Sequence, residues 1–258
     1  MVARLALARP GRVCYIMGMK LHGLFLCCCA VSAAAGYDGP PPLTENDGRA
    51  PIRMGAELMT GYRSDYVYRG ERFGANALEG QISGGLSLSD NWALSGEMFA
   101  IRNWQGSKFR QDSLHGELQH YLTDECTLGL FVNGQWYDFS PMRNGVEPGL
   151  SLRWNPKPAW SFGGSLLYDT GQKGMYSEWS VTWQPLLTET LALSNTVSVG
   201  FAQDYLGRSG LKELVFRSGL LWSVSSNFRL EPFAGLYCGY GRDEFQKVVV
   251  GLWCSYSF

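Results

Sequence analysis

The chain has 258 residues, 22 Lys and Arg against 23 Asp and Glu, a net charge of −1, and 45% hydrophobic residues. Near-neutral charge argues against a nucleic-acid partner, and no stretch reaches the roughly 18 uninterrupted apolar residues of a membrane-crossing helix. Crossing by strands stays open, because half of each strand of a membrane barrel faces a polar interior; the 32 Gly and 9 Trp fit that class.

Residues 1–35 read as a secretory signal peptide, with Met19 as a candidate start. Lys20 gives a positive beginning, an apolar core of about eleven residues follows, and Ala33-Ala34-Ala35 precede Gly36 as a cleavage site. Cys27, Cys28 and Cys29 lack a proper lipobox before them, so a lipid anchor is not expected. The processed chain would keep Cys126, Cys238 and Cys254, an odd number that makes no disulfide framework. Residues 36–51, with Pro40-Pro41-Pro42 and Asn46-Asp47-Gly48, read as a flexible periplasmic leader.

From Ile52 onward, apolar and polar residues alternate in segments of about ten, the length that spans a hydrocarbon layer when tilted. Strands are expected near 52–63, 77–89, 91–101, 112–122, 126–139, 146–155, 159–169, 176–185, 190–203, 212–224, 227–240 and 245–258. The fold class is therefore all-β: a transmembrane antiparallel up-and-down β-barrel over 52–258, with about 12 strands and both ends on one side. Even-to-odd joints look tight, as at Asp90-Asn91 and Ser225-Ser226. Odd-to-even joints look longer, as at 64–76, 102–111 and 204–211. Short inner turns and longer outer loops are the pattern of such barrels.

Tryptophan supplies a separate test. Trp92, Trp154, Trp160, Trp183 and Trp222 lie near the tight joints on the apolar parity, and Tyr62, Trp136, Tyr168, Phe201 and Tyr240 lie toward the other rim. Two aromatic girdles are expected, since indole favours a membrane interface. In the last strand Val248, Val250, Leu252, Cys254, Tyr256 and Phe258 alternate with Lys247, Gly251, Ser255 and Ser257. The aromatic-x-Phe ending resembles the closing strand of bacterial outer-membrane barrels. That resemblance implies Tyr256 and Phe258 as a signal to the barrel-assembly machinery.

The opposite parity gives the candidate pore lining: Arg53, Glu57, Glu79, Glu97, His115, Glu117, Glu147, Arg153, Glu178, Glu213, Arg217, Arg229, Glu231 and Lys247. Charges on a lipid-facing wall would be costly, so their shared parity points inward. Twelve strands lie between the eight that side chains fill and the sixteen that leave an aqueous channel. Outer joints carry Arg69, Arg72, Arg102, Lys108, Arg110, Arg143, Arg208, Lys212 and Arg242, a basic excess suited to lipopolysaccharide phosphates.

Ser64-Asp65-Tyr66-Val67-Tyr68-Arg69-Gly70, followed by Leu78-Glu79-Gly80-Gln81-Ile82, resembles the first-strand signature of small outer-membrane porins of the TorF type. The resemblance covers about 35 residues. It implies a bacterial outer-membrane porin, and a local turn role for Arg69 and Gly70 at the outer end of the first hairpin.

Three functions follow. The first is a passive channel for small polar solutes or ions. The second is a membrane-embedded lipid-modifying enzyme, whose base would have to be His115 or His120, the histidines of the mature chain. The third is a structural or adhesive barrel working through its loops. No phosphate cradle, zinc spacing or calcium loop is present in the sequence, so no cofactor, no metal and no catalytic residue is expected.

Overall fold

The computed structural model describes residues 54–104, 109–139, 141–241 and 243–258. The expected signal peptide, leader and Arg53 lie outside these residues, as do Lys108 and Arg242. Among them run twelve strands: β1 Met54–Tyr68, β2 Glu71–Ser89, β3 Trp92–Asn103, β4 Arg110–Tyr121, β5 Cys126–Tyr137, β6 Gly145–Lys157, β7 Trp160–Asp169, β8 Gly174–Trp183, β9 Leu191–Tyr205, β10 Arg208–Ser223, β11 Phe228–Tyr240 and β12 Glu244–Ser257. Each pairs antiparallel with its neighbours in sequence, and β1 pairs with β12 to close the barrel. Closure leaves no sheet edge, so every strand finds hydrogen-bond partners on both sides.

The seam is held by the register Glu57↔Ser257 to Arg63↔Gly251 and finished by the Phe258 amide donating to the Ala56 carbonyl at 2.9 Å. The strands are tilted, as closure requires. Following the ladder from Glu57 near the start of β1 leads through Ser83, Glu97, His115 and Asn133 to Glu147 near the start of β6. We call the end with both seam termini the lower end and the other the upper end.

The alternation of faces is as the sequence predicts. Every strand carries at least one large exposed apolar side chain on the outside, among them Leu58, Ile82, Met98, Leu130, Leu150, Trp179 and Val248. Trp92, Trp154, Trp160, Trp183 and Trp222 are exposed near the lower joints, with Tyr62, Trp136, Tyr168, Phe201 and Tyr240 toward the upper rim. Tyr256 and Phe258 also face out, their rings edge-to-face at 5.0 Å. Cys126, Cys238 and Cys254 form no disulfide.

The upper joints differ from the expected long loops. Residues 64–76 are mostly strand: β1 and β2 run on to a two-residue turn at Arg69-Gly70 between Tyr68 and Glu71, which pair. Residues 204–211 likewise contract to Leu206-Gly207 between Tyr205 and Arg208. Both turns have positive φ at each central residue (49° and 74°, 53° and 70°), the signature of a type I′ hairpin. Conversely, the lower joint 184–190 is longer than the tight turn expected, with an isolated bridge between Leu186 and Ala192. Loop length therefore does not separate the two ends; strand overhang at the upper end does.

The belt of exposed aliphatics requires an apolar surrounding. Leu150→Arg, at the middle of β6 on the outer face, is expected to cost about 2–4 kcal/mol of folding stability in a phosphocholine bilayer. Ser180→Lys, on the inner face, should change it little. Denaturant titration in vesicles checks both.

Candidate functional site: the barrel interior

The long β1–β2 hairpin does not stand above the rim. Its tip bends into the lumen, where Tyr66 and Arg69 are 0% and 6% exposed. A register shift between Tyr66 and Val67 leaves Phe73 unpaired and turns the arm inward. Gly70 then lies against β10, where a Cβ would stand 2.1 Å from the Lys212 carbonyl oxygen; only glycine fits. Arg69 and Gly70 form the turn expected of them, and the tip also reaches across the lumen to β6 and β10.

Arg69 is the centre of this layer. Its guanidinium makes a two-pronged contact with Glu147, Nη1 at 2.5 Å and Nη2 at 2.8 Å, and also donates to the Tyr205 hydroxyl at 3.1 Å. Asp169 lies 3.6 Å from Nη1. The rings of Tyr68, Tyr176 and Tyr205 surround it at 4.7, 4.9 and 5.5 Å. Asn133 and Gln135 donate to the same Glu147, and a further link runs from Gln135 through Gln111 to the Tyr66 hydroxyl. Beside it, the Gly70 amide donates to Glu213 at 3.0 Å, Tyr176 donates to Glu213, and Lys212 pairs with Glu71 at 3.5 Å. Ladder shifts in β10, one of them between Leu211 and Glu213, let the adjacent Lys212 and Glu213 both point inward.

A second layer lies below. Arg63 makes a forked contact with Glu79, at 3.1 and 2.6 Å, and Trp253 donates its indole N–H to the same carboxylate. Arg217 is wedged between the faces of Phe233 and Trp253, 4.1 and 3.9 Å from the ring centres, and pairs with Glu231. Its Nε and Nη1 have no hydrogen-bond partner among the described residues, so the ring faces are their neighbours instead. The inner wall is thus less polar than parity alone predicts: Phe131, Leu167, Val215, Phe233, Tyr237, Val249 and Trp253 share it with the charges.

From the hairpin tip to the lower end runs a cavity of about 360 Å³. Its wall is rich in hydroxyls, including Ser151, Ser180, Thr182, Thr196 and Ser198, and it receives Glu97, His115, Glu117, Arg153, Glu178, Arg229 and Glu231. His115 meets Asn133 through Nδ1 and stands 3.9 Å from Glu117, which is bonded in turn by Ser151 and Gln119. Glu97 accepts from Gln81 at 2.9 Å. His120 is at the lower end, stacked on Trp92 at 4.3 Å and bonded to the Asn91 carbonyl.

The expected pore lining therefore divides. Glu97, His115, Glu117, Arg153, Glu178, Glu213, Arg229 and Glu231 line the cavity. Glu79, Glu147 and Arg217 are locked in buried contacts. Glu57 and Lys247 are half-buried wall residues, opposite Ser83 and Tyr237 on their ladders. Arg63, Arg69, Asp169, Lys212 and the tyrosines of the upper layer are missing from the sequence-based set. Arg69 and Lys212 sit among residues read there as outer loop. Of the other joint cations, Arg72 pairs with Asp65 at 2.7 Å, and Arg102 and Arg110 both pair with Asp112.

No protein-family model matches the chain, and a search of curated proteins finds no match. Among solved structures the barrel is similar to the KdgM porin, with a TM-score of 0.54 at 11% identity, covering 78% of this chain and 99% of that one. A NanC porin gives 0.53 at 14% identity, over 78% and 98%. An outer-membrane channel from Pseudomonas putida F1 gives 0.52 at 10% identity, over 83% and 100%. At these identities the likeness establishes the fold: a twelve-stranded barrel of the porin type.

Removing one member of a buried ion pair leaves its partner uncompensated. Glu79→Gln is expected to destabilise the folded barrel by about 3–5 kcal/mol, read from the urea midpoint in detergent. The double change Arg63→Met with Glu79→Leu should restore most of that loss.

Proposed function

We propose that this chain is an outer-membrane channel through which small polar solutes or ions pass by diffusion. One observation carries the reading: the barrel is apolar all round its outside and encloses a hydroxyl- and charge-lined cavity of about 360 Å³. Such a partition suits a wall between lipid and water. A similar barrel, the KdgM porin, has been solved in complex with disordered oligogalacturonate; by analogy, this lumen would take solutes rich in hydrogen-bonding groups.

The same reading places the upper end outside the cell and the lower end in the periplasm, after export by the signal peptide of residues 1–35. Membership of the TorF-type porins rests on the Ser64–Gly70 run, which is the segment that enters the lumen. Tyr256 and Phe258 are proposed as the assembly signal, and Arg102 and Arg110 at the rim as contacts for lipopolysaccharide phosphates. The enzymatic alternative finds less support. His115 is turned inward and bonded to Asn133, and the serine nearest its partner Glu117 is engaged by that carboxylate.

The channel is tested with a barrel whose first hairpin is shortened. Residues 64–76 are replaced by Asn-Gly, joining Arg63 to Ala77, which already pair across the two strands. Folding is checked by resistance to SDS without boiling. In planar bilayers this barrel is expected to give discrete current steps, and in liposomes to admit small sugars and amino acids. A folded, shortened barrel that stays sealed at every voltage overturns the proposal.

Within that open barrel, Arg153→Glu and Arg229→Glu each exchange a positive for a negative charge on the cavity wall. Both should move the reversal potential in a KCl gradient toward that of K⁺. Unmoved potentials in both would remove these residues from the conduction path.

A further inference from the structure

We propose that the cage around the Arg69 head is a binding site for guanidino solutes, occupied at rest by the chain's own arginine. A guanidinium-bearing solute arriving from the upper end competes for the same acceptors and releases the hairpin tip. The proposal rests on the channel reading for its physiological meaning, but the site itself is defined without it.

The cage belongs to the wall rather than to the tip. Glu147 is on β6, Asp169 on β7, Tyr176 on β8 and Tyr205 on β9; only Tyr68 arrives with the hairpin. Withdrawal of the tip therefore leaves two carboxylates and two aromatic faces in place. Their arrangement selects a planar cation. Glu147 presents both oxygens to two nitrogens of one group, a fork that guanidinium matches and an ammonium does not. The tyrosine faces at 4.7–5.5 Å complete a slot for a flat, delocalised charge.

One contact of the cage is made only loosely by Arg69. Asp169 is 1% exposed, yet its Oδ2 has no hydrogen-bond partner among the described residues and stands 3.6 Å from Arg69 Nη1. A guanidinium free of its backbone can approach that oxygen more closely than one tethered to a turn. The tether itself is under constraint. Arg69 holds φ at 49°, a left-handed conformation that residues other than glycine adopt rarely.

The test titrates detergent-folded protein with guanidinium chloride at constant ionic strength, by calorimetry, with NaCl as the control. Arg69→Ala, its cage empty, is expected to bind guanidinium saturably in the low-millimolar range, and wild type more weakly because its own arginine competes. Adding Glu147→Gln to Arg69→Ala should weaken binding by about tenfold or more, the loss of a charged hydrogen-bonded contact. Equal heats from Arg69→Ala and wild type, or no effect of Glu147→Gln, overturn the site. If Arg69→Ala does not fold, as judged by SDS resistance, Arg69→Lys takes its place. It keeps the charge but not the fork, and must bind guanidinium more tightly than wild type. In planar bilayers, guanidinium on the upper side should raise the open fraction of the wild-type barrel several-fold over equal NaCl, and an unchanged open fraction refutes the displacement. Because binding is read without current, a sealed shortened barrel would sink the channel while leaving the cage to stand or fall by itself.

Discussion

A sheet surrounded by an apolar medium must close, because each backbone N–H and C=O left at an edge would face hydrocarbon with no partner. Here the seam between β1 and β12 meets that demand, and most other features follow from it. Closure with twelve tilted strands fixes a lumen wider than side chains alone fill easily. Side-chain alternation then assigns one face of every strand to the outside and the other to that lumen. Residues such as Glu147 are held inside by the same geometry that holds Leu150 out.

The lumen is managed by two kinds of contact. Where charges come close they are paired and flanked by rings, as with Arg63 between Glu79, Tyr66 and Trp253, or Arg217 between Phe233 and Trp253. Desolvated charges are tolerated in a protein only when so compensated. Lower down, hydroxyls replace rings and the space opens. The barrel thus changes along its axis from packed, ion-paired layers to a hydroxyl-lined cavity.

Much of this is readable in the chain because strand periodicity is two and a barrel repeats it. The outward rows, the tryptophans near the lower joints and the inward parity of Glu97, Glu117 and Arg153 all follow from counting. What counting misses has physical causes. Arg69-Gly70 and Leu206-Gly207 do not carry the Asn-Gly signature of tight hairpins, so the strand ends around them look like loop in the sequence. Ladder shifts around Phe73 and Lys212 break the count of two, which is why Lys212 looks external by parity and is 1% exposed. Phe233 and Trp253 sit on the inner parity although apolar, because they give the arginines something flat to lie on, and Val249 packs in the same cluster. The partnership of Arg69 with Glu147 spans 78 positions and depends on the arm bending across the lumen, which no local pattern encodes.

The sequence distances in the upper layer also order the assembly of the molecule. Strands adjacent in sequence meet across short joints, whereas Gly70 reaches Glu213 over 143 positions, Glu71 reaches Lys212 over 141, and the seam joins Glu57 to Ser257. Contacts so remote form late, since the intervening chain must first be brought together. The docking surface for the tip is complete only when β6 to β10 stand side by side, so the charges of those strands face water until the tip arrives. Docking of that tip is a dehydration that the finished barrel can reverse without unpairing its wall, since β12 pairs with β1 only as far as Arg63.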